Sequence, residues 1–123
     1  MQSENISSAQ LRADLATYVG SENWYRHILQ RNFLYTDGVK YFCEKAGAYW
    51  FLDDFLALNV FPLQQRSPFL VVELKVEDGK AVVIVTDGND QKLWSRRIPF
   101  TDAPEGVWRF YLTDNVALLP SEY

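Results

Sequence analysis

The chain has 123 residues, 48% of them hydrophobic and 23% charged, with 12 basic residues against 16 acidic ones. A globule of this size buries about 65–70% of the surface its unfolded chain exposes, which supports a core without disulfide or metal and excludes disorder driven by low hydrophobicity. A single cysteine, Cys43, and a single histidine, His27, exclude an internal disulfide, a multi-thiolate metal site and most multi-histidine sites. No apolar run approaches the ~20 residues of a membrane helix, and the opening MQSENISSAQ has neither the basic head nor the apolar stretch of a secretory signal. The expectation is one soluble, cytoplasmic domain over residues 1–123, helical over about 8–59 and stranded over about 69–119.

Ser7-Ser8-Ala9-Gln10 reads as a capping box, with Gln10 reaching back over the first turn. Leu11, Leu15, Tyr18 and Val19 follow at helical spacing until Gly20 stops the helix. Ser21 reads as a second cap, and Trp24 to Leu29 as a short helix. Phe33-Leu34-Tyr35 is a brief apolar run before the turn Thr36-Asp37-Gly38. A helix is predicted from Val39, with Phe42, Cys43 and Ala46 on its apolar stripe and Gly47 as its break. Ala48 to Asn59 is the most apolar segment, and a 3.6-residue period puts Leu52, Phe55, Leu56 and Asn59 on one face. Leu52 and Phe55 are the expected core residues of that face. Pro62 and Pro68 bracket the link that ends the helical half.

After Pro68 the period falls to two. Leu70, Val72, Leu74 and Val76 alternate with Val71, Glu73, Lys75 and Glu77. Asp78-Gly79 calls for a type I′ hairpin turn, because both central residues need positive φ. That turn sets Glu77 opposite Lys80, Val76 opposite Ala81, Leu74 opposite Val83 and Val72 opposite Val85. A third strand spans Lys92 to Phe100 in an open register, since a one-residue slip exchanges Leu93 and Trp94 between faces. Val107–Leu112 and Val116–Leu119 complete the strands. Helices followed by strands predict an α+β fold, with N-terminal helices on one face of an antiparallel sheet of about four to five strands.

The segment NFLYTDGVKYFCEKAGAYWFLDDFLA, the upstream WYRH of Trp24 to His27 and the ending VALLPSEY resemble a domain family of unknown function from bacterial, plasmid and phage sequences. The resemblance runs from about Leu15 to Tyr123. It implies a small accessory protein, sometimes carried on mobile elements, and implies no activity, cofactor or catalytic residue.

The chemistry-bearing residues form no familiar enzyme motif. No phosphate loop, nucleophile elbow or dinucleotide fingerprint is present, and no cofactor is expected. Adjacent Asp53 and Asp54 diverge by about 100° on a helix, so they are not a catalytic pair with each other. His27 reads as a surface or capping residue, and Cys43 as a buried, inert thiol. The basic pair Arg96-Arg97 reads as a solvated strand edge, which argues against a nucleic-acid partner. The aromatic excess in the helical half is the unusual feature, since Tyr and Trp serve both cores and interface hot spots. The candidate binding residues are Tyr35, Asp37, Tyr49, Trp50 and Asp53. The expected function is a non-enzymatic interaction module that binds a protein partner or itself, and no membrane. The alternative is an enzyme or small-ligand binder with Asp37, Tyr49 and Asp53 between helices and sheet.

Overall fold

The computed structural model describes residues 6–20 and 23–123, so the Ser21 cap lies outside the described residues. Ser7 caps α1 (Ser8–Leu15) by accepting the Gln10 amide at 3.1 Å. The reciprocal half of the capping box is not made. Gln10 Nε2 instead donates forward to Asp14 at 2.7 Å, one turn along the same face. The helix ends at Leu15 rather than running on through Val19, as Thr17 folds back to donate to the Asp14 carbonyl.

Trp24 to Leu29 is not a helix. Trp24–Arg26 forms β1, antiparallel to β2 (Leu34–Thr36), with Tyr25 opposite Tyr35. So short a segment cannot offset the cost of nucleating a helix, whereas a neighbouring strand offers a ladder at once. Tyr25 adds ring stacking on Tyr35 at 5.7 Å. Thr36 then caps α2 (Asp37–Ala46) by accepting the Val39 amide, and Gly47 closes that helix at φ +64°.

The apolar segment that follows is wound wider than a 3.6-residue period assumes. Phe51–Val60 is a π-helix, followed by a 3₁₀ turn over Phe61–Gln65. Five-residue hydrogen bonding aligns Phe51 with Leu56 and Leu52 with Ala57, and these four are buried. Phe55 and Asn59 are thereby rotated to the edge of the face, so Leu52 is a core residue and Phe55 only half so.

β3 (Phe69–Glu77) and β4 (Lys80–Thr86) form the hairpin in the register expected, from Glu77–Lys80 to Val72–Val85. Asp78 and Gly79 take φ of +55° and +72° at its tip. β5 (Lys92–Ile98) joins β4 with a bulge beside Val85 and Thr86, which puts Trp94 opposite Val85 and on the covered face. β6 (Gly106–Thr113) pairs with β3, and β7 (Val116–Leu118) pairs with β6.

The sheet has seven strands, in the order β1-β2-β7-β6-β3-β4-β5, not four to five. The additional strands, β1 and β2, come from the helical half, and β2 is the one that runs parallel to its neighbour, β7. The α+β architecture holds. α2 and the π-helix cover one face, where Phe42, Phe51 and Phe110 interlock at 5.0–6.4 Å over Leu70, Val72, Leu74 and Val83. A C-terminal 3₁₀ turn (Pro120–Glu122) brings the buried Glu122 under the start of α2, where it accepts the Thr36 hydroxyl at 2.6 Å and the Leu119 amide at 2.9 Å.

Candidate functional site

The chain leaves β1 at Arg26 and returns to β2 at Leu34, through a loop tied across its base. The His27 amide donates to the Phe33 carbonyl at 2.9 Å, and Arg26 donates to the Arg31 carbonyl at 2.7 Å. Inside this loop the His27 ring is buried and spoken for on both sides. Its Nδ1 accepts the backbone amides of Leu29 (3.2 Å) and Gln30 (3.1 Å). With Nδ1 occupied as an acceptor, the ring proton sits on Nε2 and is donated to Asp53 Oδ1 at 2.7 Å. Neither nitrogen is free to take a proton from a substrate, so His27 is a positioning residue and not a general base.

This arrangement has two outward consequences. It turns Ile28 and Leu29 into solvent, 82% and 75% exposed. It also holds the Asp53 carboxylate at the wall of a hollow of about 340 Å³, lined by His27, Ile28, Leu29, Tyr35, Tyr49, Leu52 and Asp53. Burial raises the Tyr35 and Tyr49 hydroxyls above the usual phenol range.

Three of the five residues singled out from sequence, Tyr35, Tyr49 and Asp53, thus line one hollow. Asp37 lies apart from it, at the start of α2, accepting the Tyr25 hydroxyl at 2.8 Å and the Asn23 side-chain amide at 3.2 Å. Trp50 is half-buried and packs edge-on against Phe51 and Phe55 at 6.0 and 5.7 Å. His27 was not legible as part of the site, because its partner Asp53 is 26 residues away in sequence. Ile28 and Leu29 were masked by the helical reading of their segment. Among the described residues no group of three His, Cys, Asp or Glu side chains converges as a metal site would need, and no helix is long and apolar enough to cross a membrane.

Fold and site together define an α+β protein with a seven-stranded, mostly antiparallel sheet and an aromatic, carboxylate-bearing hollow beside an exposed apolar loop. The chain belongs to DUF6876, a family of unknown function whose model matches residues 9–123. Comparison with curated proteins and with solved structures gave no match.

Proposed function

We propose that this protein is a non-enzymatic interaction module that binds a protein partner through the loop of Ile28 and Leu29 and the adjoining hollow. The carrying observation is the use of a buried histidine, fixed by two amides and a carboxylate, to hold two large apolar side chains in water. Two adjacent apolar side chains held in water on a fixed loop, beside an aromatic hollow, support a contact surface there. Tyr49 and Asp53 beside them supply the aromatic and polar contacts that orient a partner.

The test is capture from cell lysate by immobilised wild-type chain, compared with an Ile28→Ser/Leu29→Ser variant of equal stability. Proteins retained by the wild type and lost by the variant support the reading, as does a wild-type dimer that the variant makes monomeric. Identical retention by both chains overturns it. A second reading, a small-ligand site, is favoured by the hollow's volume of about 340 Å³, which falls within the range of small-molecule pockets. A ligand there would raise the thermal stability of the wild type but not of Tyr49→Ala.

A further inference from the structure

The hollow beside the His27 loop holds a charge that the fold does not neutralise. Among the described residues that line it, Asp53 carries the one charge. Its contact with His27 brings no compensation. The His27 Nδ1 is taken as an acceptor by two amides, so the ring is neutral and the 2.7 Å contact to Asp53 Oδ1 is a hydrogen bond rather than an ion pair. Among the described residues Asp53 Oδ2 accepts no hydrogen bond, and no lysine or arginine lies within ion-pair distance of it. Arg26 and Arg31 share the loop but stand outside the lining, where Arg26 reaches the Arg31 carbonyl. Lys40 and Glu44 act on the Tyr35 and Tyr49 phenols with opposite sign, and pair with each other at 2.9 Å.

The rest of the lining is aromatic and apolar. Tyr35 is backed by Tyr25 and Phe33, at 5.7 and 6.4 Å between ring centres. Tyr49 is 39% exposed and pairs with no other aromatic ring among the described residues. Leu52 is buried beside them, and Ile28 and Leu29 stand at the rim. An aromatic ring next to a carboxylate attracts a cation from two sides, by its quadrupole and by charge.

We infer, resting on the contact surface proposed above, that this hollow receives a lysine side chain of the protein partner, its ammonium on Asp53 Oδ2 and its alkyl stem against Tyr49 and Leu52. An anionic side chain would meet the Asp53 carboxylate with no lining cation to offset it. An apolar one would cover that carboxylate and leave it without a partner, which is costly. Arginine prefers a fork of two oxygens, and here His27 already holds Oδ1. A compact ammonium needs one oxygen, and its stem suits apolar walls.

The test is an NMR titration of the isotope-labelled full chain with Nα-acetyl-lysine methylamide, beside its norleucine and arginine counterparts and n-butylammonium chloride. The expected result is saturable shifts at the Tyr49 and Asp53 amides with the lysine probe, weakened by salt, no such shifts with norleucine, and weaker binding of arginine. Asp53→Asn should lose about fivefold in affinity. Asparagine keeps an oxygen for the His27 proton, so unchanged Leu29 and Gln30 amide signals report an intact loop. Tyr49→Leu, which leaves the His27 bonds untouched, should also weaken binding. Asp54→Asn makes the same change in charge on the next residue, outside the hollow, and should bind as the wild type does. No saturable shift, equal binding of the norleucine probe, equal losses in Asp53→Asn and Asp54→Asn, or arginine binding as tightly as lysine overturns the inference. Tighter binding of n-butylammonium than of the lysine probe also overturns it and assigns the hollow to a free amine. A protein captured equally by wild type and Asp53→Asn, but lost by Ile28→Ser/Leu29→Ser, overturns the lysine site and leaves the contact surface standing.

Discussion

The carboxylate of Glu122 receives the backbone amide of Gly38 at 3.1 Å, across 84 residues of sequence. With the Thr36 hydroxyl and the Leu119 amide it completes a buried hydrogen-bond set at the start of α2. The segments YTDGVKY and LLPSEY, far apart in sequence, meet at this point. A negative group at a helix N-terminus is favoured by the helix dipole and by its unpaired amides. A Cβ at Gly38 would lie 2.5 Å from Leu119 Cδ1 and 2.8 Å from Glu122 Oε1, so both buried side chains would have to shift to admit it.

Glu122→Ala leaves buried donors without an acceptor and is expected to cost at least about 1–3 kcal/mol. Gly38→Ala is expected to cost about 1–3 kcal/mol by overpacking. Chemical denaturation measures both. A Glu122→Ala chain as stable as the wild type would show that water replaces the carboxylate at no cost.

The winding of the π-helix ranks two neighbours. Leu52 is 1% exposed and sealed beneath it, so Leu52→Ala should cost about 2–5 kcal/mol. Phe55 sits at the margin, edge-on to Trp94 at 6.1 Å with Arg96 above its ring, and Phe55→Ala should cost less. Denaturation midpoints in the reverse order would mean the segment winds as an ordinary helix.

The Tyr41 hydroxyl donates to Asp14 at 2.6 Å and ties α2 to α1. That bond, with burial and the charge of Asp14 adding to it, pushes the phenol up from 10.0 to about 12. Because the folded value lies above the unfolded one, the contribution is complete below pH 10 and is lost as pH rises through 12. Tyr41→Phe should remove the last step of the phenolate absorbance titration and flatten the fall of stability over that window. An unchanged late step in the variant would refute the bond.

Burial pushes the Cys43 thiol well above its ordinary range, and the nearby Asp53 and Glu44 charges add to the effect. The thiolate is the reactive form, so native protein at neutral pH should resist thiol reagents until it is unfolded. Rapid labelling of the folded chain, abolished in His27→Ala, would show instead that His27 activates the Cys43 thiolate.

The β3–β4 hairpin was readable to the residue because alternation and Asp78-Gly79 are local signals that agree. The β5 register was not, because the bulge at Val85 and Thr86 is a property of the pair of strands. The winding of Phe51–Val60 left no mark either, since an apolar run suits an α-helix and a π-helix equally. Tyr35, Tyr49 and Asp53 stood out by residue type. His27 did not, because its role depends on Asp53 and on a loop closed by Phe33. Likewise Thr36-Asp37-Gly38 reads as a turn until Glu122 arrives from the far end of the chain.

That late arrival has a kinetic consequence. The hairpin closes over adjacent residues, whereas β2 must wait for β7, and the α2 cap for Glu122, at separations of more than 80 residues. Loop-closure entropy and contact order place such pairings late in folding. Until β7 docks, β6 and β2 hold unpaired edges that face each other across the place it will take. The vulnerable interval of folding is therefore the one before β7 docks, and β7 acts as the strand that locks the sheet. Pulse-labelled hydrogen exchange should protect the amides of Val72–Val85 before those of Leu34–Thr36, and simultaneous protection would rule out this order.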